Sequence, residues 1–320
     1  MGMTDDDYLT GYAQTDIHGE MIADRARTTA YRRAILAHSS EFEGKVVLDV
    51  GCGTGILSLF AAEAGAKHVY AVDASEIALV ARKVVETNNL SDTITVFHGK
   101  MEDLELPEKV DVIISEWMGY FLIFERMLDS VLFARDRWLK PDGILLPSHA
   151  RLSVCAIEDF DYEDERFSFW KNVYGYDLSP VAEQCRSEAV VDEVNPDAIV
   201  TNYQTVLAFN IQKMDVNDQD FSSDFVLIAE RTDQVHAIVA SFDVRFGNAP
   251  GAVVLSTDPD AEHTHWKQTL LYLDRPLRVR KGEKLHGTIT VKRNPKSPRN
   301  LVIELIARSG RQVRTRTYHM

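Results

Sequence analysis

The sequence predicts two architectures in one chain: a doubly wound α/β sheet, followed by an antiparallel β-barrel that carries a helical insertion. Three observations lead there. Between about Glu43 and Pro147, short β-branched runs alternate with helical segments. After Ser148 the apolar residues recur with period two, and a single aromatic-rich stretch, Tyr162 to Val190, interrupts that alternation. Strands alternating with helices imply parallel crossovers, whereas period-two strands in succession imply an antiparallel barrel or sandwich.

In chain order, "GEMIADRARTTAYRRAILAHS" sets Met21, Ile22, Ala26, Ala30 and Ala34 near helical spacing and predicts one or two amphipathic helices. "KVVLDV", "HVYAVDA", "ITVFHG", "VDVIISE" and "GILLP" read as strands. "ILSLFAAEAGA", "EIALVARKVVETNN" and "ERMLDSVLFARDRWL" read as helices. Beyond Pro147, at the seam, come the half-buried strands "QTVLAFNIQ", "DFVLIAER", "AIVASFDVRF", "QTLLYLDRPLRV", "LHGTITVKR" and "LVIELIARS". The expected division is N-terminal helices over 1–42, the α/β domain over 43–147 and the β domain over 148–320, with its insertion at about 162–190. "DYEDER" reads as a solvated root of that insertion, and "KRNPKSPRN" (Lys292 to Asn300) as a solvated basic hairpin, with an RNA or acidic-protein contact as the lesser reading.

A chain of 320 residues with 45% apolar content can bury a large core and exceeds the ~250 residues at which single cores stop growing. No apolar run approaches the ~20 residues of a membrane span, and the acidic opening "MGMTDDDYLT" is unlike a signal peptide. Gly2 does not begin a myristoylation signal, because Asp6 stands where Ser or Thr is needed. Three cysteines, Cys52, Cys155 and Cys185, have no metal-ligand spacing and suit a reducing compartment. A net charge of −14 argues against binding a phosphate backbone and suits a cationic partner or plain solubility.

The strand "VVLDV" runs into Gly51, Gly53 and Gly55 and then directly into a helix, a turn in which the backbone can approach a ligand closely. Asp73 ends the next strand, where such sheets hydrogen-bond a ribose. The spacing is G-x-G-x-G rather than the dinucleotide G-x-G-x-x-G, and Asp49 precedes it. That acid would repel a phosphate and welcome a cation, which favours S-adenosylmethionine, a sulfonium with no phosphate. Glu102 follows the third strand, placed either to meet an adenine amino group or simply to be solvated.

"SEWMGYFLIFERM" (Ser115 to Met127) holds Glu116 and Glu125 at the two ends of an apolar loop. Two carboxylates in such a pocket resist joint ionisation unless a cation lies between them, and a planar guanidinium matches their geometry. With "VLDVGCGTG", this loop, "HTHWKQ" (His263 to Gln268) and "IHGEMIADRART" in one order, the chain resembles the type I protein arginine N-methyltransferases over nearly its whole length.

The resemblance implies a Rossmann-like S-adenosylmethionine-binding domain and cofactor contacts from His18, Met21, Arg27, Gly51, Asp73 and Glu102, joined by Asp49 and Gly53 of the turn. It implies catalytic roles for Glu116 and Glu125, and a substrate side that includes Met127, Tyr120 and Trp266. The proton released on transfer could go to His265, paired with Asp24, or to either glutamate. No metal is expected. The implied partners are arginine-rich proteins, such as histone tails or Gly-Arg-rich segments, and a second copy of the chain gripped by the inserted arm. The implied product is asymmetric dimethylarginine by way of monomethylarginine, with the enzyme in the cytoplasm and nucleus. An RNA or small-molecule methyltransferase would show a basic groove or closed pocket instead, and a cofactor-binding scaffold would need neither glutamate.

Overall fold

A computed structural model describes residues 4–320, apart from the side chains of Glu163, Asp164 and Arg166. Gly2 and those three side chains of "DYEDER" therefore lie outside the described residues.

Helices α1 (Asp5–Tyr12), α2 (Thr15–Ala23), α3 (Arg25–Ala37) and α4 (Ser39–Phe42) open the fold. The first begins at a capping box in which Thr4 and Asp7 satisfy each other's backbone N–H groups. It buries no residue of its own. Asp24 separates α2 from α3: its extended backbone breaks the helix, and its Oδ1 accepts from the Arg27 N–H at 2.9 Å. That side-chain cap explains why one long amphipathic pattern folds as two helices.

The α/β layer contains β1 (Val46–Val50), α5 (Ile56–Glu63), β2 (His68–Asp73), α6 (Ile77–Thr87), β3 (Ile94–His98), β4 (Val110–Ile114), α7 (Leu128–Trp138) and β5 (Leu139–Leu146). The five strands lie in the order β3-β2-β1-β4-β5, all parallel. All five residues of β1 are buried, as expected of a strand covered on both faces. Strand order reverses between β1 and β4, and a ligand crevice opens beyond their carboxyl ends. Gly51 follows one of these strands and Ser115-Glu116 the other, so sequence-distant motifs meet at this switch point.

After the cis Leu146–Pro147 bond the chain turns antiparallel. It continues through β6 (His149–Ile157), α8 (Phe160–Arg166), α9 (Ser179–Cys185), β7 (Val190–Asp192), β8 (Gln204–Asn210), β9 (Phe221–Ile228) and β10 (Asp233–Arg245). Then follow β11 (Val254–Ser256), β12 (Gln268–Val279), β13 (Lys284–Asn294), β14 (Ser297–Ser309) and β15 (Gln312–His319). One sheet runs β7-β12-β10-β6-β8 with β11 beside β10, and the other runs β15-β14-β13-β9. Contacts between β8 and β9, and between β12 and β15, close the two sheets into a barrel-like body. Its interior is the inward face of the alternation: Leu301, Ile303, Leu305 and Ala307 of β14 are fully buried against Leu285, Ile289 and Val291 of β13.

The insertion is rooted by aromatic contacts. Tyr162 stacks on Tyr272 at 4.4 Å, and the Arg186 guanidinium lies 3.7 Å over the buried Phe167 ring. Its tip is apolar and open to solvent, with Phe169, Tyr174 and Tyr176 54%, 99% and 73% exposed. Among the described residues, no helix is long and apolar enough to cross a membrane.

Candidate active site

A cavity of about 560 Å³ lies at the sheet's switch point, walled by the N-terminal helices, the glycine turn, the double-glutamate loop, the His265-Trp266 segment and the β13–β14 hairpin. The glycine turn forms its floor. Gly51 and Gly53 have φ of 70° and 55°, a region side-chain-bearing residues avoid, and a Cβ on Gly51 would overlap the Met127 side chain. Asp73 holds this turn: its Oδ2 accepts from Gly53 N at 2.9 Å, and its Oδ1 from Ser75 N and Oγ at 2.8 and 2.7 Å. A carboxylate has about four acceptor sites, so one remains for a ribose hydroxyl. His18 lies against Gly53 and pairs its Nε2 with the Tyr12 carbonyl at 2.8 Å. Met21 lines the wall, while Glu102 stands exposed at the rim and accepts from Ser130 Oγ at 2.6 Å.

Asp49 departs from its expected place. It is fully buried in β1, is not among the cavity-lining residues, and accepts from Ser58 Oγ at 2.7 Å. Burial pushes its carboxyl up to about 7, so near neutral pH it is only partly ionised, and it does not face the cavity. Its partner is the reason: Asp49 reaches Ser58 on α5, whereas Val50 and Gly51 reach the cavity edge. Cys52 is equally buried, and its thiol is pushed well above the ordinary range, which makes it inert filler.

The two glutamates do converge on this cavity, but in different states. Glu116 is already paired, its Oε2 lying 2.9 Å from Arg27 Nε and 2.8 Å from Nη2, both side chains being 8% exposed. Its Oε1 accepts from Met118 N at 3.2 Å. Glu125 accepts from the Tyr12 hydroxyl at 2.8 Å through Oε2, and its other oxygen has no hydrogen bond among the described residues. Burial raises the Glu125 carboxyl above its ordinary range; Tyr12 and the Arg299 charge oppose that shift, and the Glu116 charge adds to it. Arg27 and Glu116 offset each other, which leaves the ionised Glu125 carboxylate as the complement of a substrate guanidinium.

The loop between the glutamates is strained by design of its neighbours. Phe121, Leu122, Glu125 and Arg126 all have positive φ between 53° and 67°. Each such non-glycine residue costs on the order of 1 kcal/mol and persists only where its surroundings over-determine it. Here they do: a Cβ on Gly119 would collide with the Phe124 carbonyl, and Phe121, Leu122 and Ile123 are buried. Trp266 fixes the loop from the barrel side by donating from Nε1 to the Met118 carbonyl at 2.9 Å, while Tyr120 lines the cavity mouth.

Asp24 and His265 meet as expected, with Nδ1 2.7 Å from Asp24 Oδ2, which also accepts from the His265 backbone N–H at 2.9 Å. Burial works against the Asp24 charge, but the hydrogen bonds from His265 and Arg27 hold its carboxyl below the usual range. The same carboxylate therefore caps α3 and orients the histidine.

Comparison with known proteins places this arrangement. A family model described as arginine methyltransferase oligomerization subdomain matches residues 148–309, half of the chain, and one described as methyltransferase domain matches residues 47–143. Protein arginine N-methyltransferase 1 of Schizosaccharomyces pombe is 49% identical over 306 residues, 95% of this chain and 90% of the relative. The chain belongs to the protein arginine N-methyltransferases. The Dictyostelium discoideum protein of the same name is 48% identical over 301 residues, covering 94% of this chain and 88% of its own. In structure, this arginine methyltransferase is similar to a chain of the Trypanosoma brucei PRMT1 enzyme-prozyme heterotetrameric complex with AdoHcy: TM-score 0.94, 43% identity, 97% of this chain and 99% of that one. It is also similar to Arabidopsis thaliana protein arginine methyltransferase 10 at TM-score 0.88 and 34% identity, over 98% and 99% of the two chains.

Several residues of the methyltransferase site escape sequence reasoning. Tyr8 and Tyr12 sit one helical turn apart on α1, a spacing that places both rings on one face, and the Thr4–Asp7 capping box marks that helix. Arg299 is a correction. The hairpin read as solvated bends over the cavity, and Arg293, Pro298 and Arg299 line it.

Proposed function

We propose that the chain transfers the methyl group of S-adenosylmethionine to a terminal nitrogen of arginine side chains in proteins, giving monomethylarginine and then asymmetric dimethylarginine. The observation that carries this is the convergence of Glu125, with a free carboxylate oxygen, and Glu116, already paired with Arg27, on one cavity beside the glycine turn.

The donor-set chemistry fits the cofactor. Asp73 retains one acceptor site for a ribose hydroxyl, and the Gly51–Gly53 backbone allows close approach. Arg27 uses only part of its five N–H donors on Glu116 and Met21, leaving others for a carboxylate. When bound, S-adenosylmethionine supplies an activated methyl group on a sulfonium sulfur.

Every other part of the work falls to protein side chains. A guanidinium is a poor nucleophile because its lone pairs are delocalised. Glu125 and Glu116 would hold its charge on one side, orienting the opposite terminal nitrogen and enriching its electron density. Apolar walls from Trp117, Met118 and Tyr120 exclude water and strengthen that interaction. His265, oriented by Asp24, can accept the released proton.

The open aromatic tip of the arm supports a homodimer in which it covers the exposed Leu79 and Val80 on α6 of a second copy. Three free cysteines suit a reducing compartment and the net charge of −14 suits a cationic partner, and we place the activity in the cytoplasm and nucleus, on arginine-rich segments such as histone tails or Gly-Arg-rich proteins. The test is incubation with labelled S-adenosylmethionine and arginine-rich peptides, followed by mass spectrometry and chromatography of the hydrolysate. Symmetric dimethylarginine as the end product would defeat the assignment of product, and an unmethylated peptide would defeat the whole reading.

A further inference from the structure

Glu125 is held at both ends by groups from distant parts of the chain. Its carboxylate is fixed by Tyr12 of α1, and its backbone carbonyl accepts from Arg299 Nη1 at 2.7 Å. The same Arg299 guanidinium lies 3.8 Å over the Tyr8 ring and donates from Nε to Asp5 Oδ1 at 2.8 Å. Asp5 in turn binds Lys100 Nζ at 3.1 Å through its other oxygen, so α1 is tied to the loop after β3 as well. Since α1 buries no residue, its seat depends on these polar and ring contacts.

The Glu125 backbone needs such support. Glu125 and Arg126 are consecutive non-glycine residues at φ 67° and 56°, and strain of this kind must be imposed from outside. Arg126 is anchored on its own account by Asp220 at 3.1 Å and the Val216 carbonyl at 3.5 Å. The Glu125 carbonyl is anchored by Arg299.

We propose that Arg299 is a positioning residue for the methyl-transfer step: a strut from the β13–β14 hairpin that links the seating of α1 to the orientation of the Glu125 carboxylate. This deepens the reading of Glu125 as the group that holds the substrate guanidinium and rests on it. A planar fork is required, because one side chain must donate to a carbonyl, pair with a carboxylate and stack on a ring at once. Lysine can supply the charge but not all three contacts.

The groups facing Glu125 are Tyr8 and Tyr12 from α1, Glu116 beyond β4, Tyr120 from the intervening loop and Arg299 from the hairpin. Of these, Arg299 is the cation. Glu125 must be ionised to hold a guanidinium, so activity falls as pH drops through its raised value. Removing Arg299 raises that value further and moves the acid limb to higher pH.

The experiment uses the full chain, S-adenosylmethionine and an arginine-rich peptide that the parent methylates; parental turnover establishes the underlying reading independently. For Arg299→Ala we expect kcat at least tenfold lower, KM for the cofactor within threefold, and the acid limb of kcat/KM for peptide displaced upward. Arg299→Lys should leave the limb near the parental position yet recover less than a third of kcat. It also carries the kcat readout if the alanine variant does not fold. A kcat within threefold of the parent in both variants overturns the proposal. So does a change confined to cofactor KM with an unmoved limb, since Arg299 would then serve only to seat α1.

Discussion

Arg27 and Glu116 form a buried ion pair across the mouth of the cofactor turn, 2.8 Å apart, although one lies in the third helix and the other beyond the fourth strand. The pair makes Glu116 partly a structural residue. Its charge is compensated before any substrate arrives, and Glu125 is left with the uncompensated role.

Arg27→Ala should therefore cost more than a cofactor contact. Breaking a buried pair by removing one partner leaves an unpaired charge and typically costs about 3–5 kcal/mol. Thermal unfolding should show a clear drop in midpoint, much of it recovered in Arg27→Ala/Glu116→Gln. An unchanged midpoint in the single variant would show that the pair adds nothing to stability.

Glu125→Gln keeps the shape and the Tyr12 contact but removes the charge that orients the guanidinium. Loss of one such preorganised electrostatic group is worth roughly 10²–10³ in kcat. Calorimetry with S-adenosylhomocysteine should give an affinity within threefold of the parent. Near-parental turnover would rule out the guanidinium clamp.

Asp49 predicts a pH dependence of stability. Its folded-state value of about 7 lies above the ordinary 3.8 of the unfolded chain, so the native state holds a proton that the unfolded state has released. The stabilisation is complete below the unfolded value and is lost as pH rises through the folded one, with a slope approaching about 1.4 kcal/mol per pH unit inside that window. Asp49→Asn keeps the Ser58 partner and cannot ionise. Urea midpoints from pH 5 to 8 should fall for the parent and fall less for the variant; parallel curves would mean that Asp49 does not titrate there.

Exposed aromatics at the arm tip predict the oligomeric state. Tyr174→Ala with Tyr176→Ala leaves the buried root at Phe167, Tyr162 and Tyr272 intact. Light scattering should report a shift from dimer to monomer, with unchanged circular dichroism. Identical masses for parent and variant would exclude the tip as the dimer contact.

Local pattern carried most of the architecture. The alternation of "KVVLDV" with "ILSLFAAEAGA" marks β1 and α5, the period-two run "LVIELIARS" marks β14, and "VLDVGCGTG" marks the turn, because each depends on residues close in sequence. Glu116, Glu125 and the Asp24–His265 pair were legible for a related reason: each lies in a motif whose residue types already state its chemistry. Tertiary structure alone decided the partners. Nothing near Glu116 in sequence shows that Arg27 neutralises it, and nothing near Glu125 shows that Tyr12 and Arg299, from opposite ends of the chain, hold its side chain and its carbonyl. Asp49 was misplaced because only the packing of α5 on the sheet shows that its carboxyl is buried against Ser58 and does not face the cavity. The basic hairpin was misread because its charges could be solvated or paired, and only the docking of the barrel against α1 brings Asp5, Tyr8 and the Glu125 carbonyl within reach of one guanidinium.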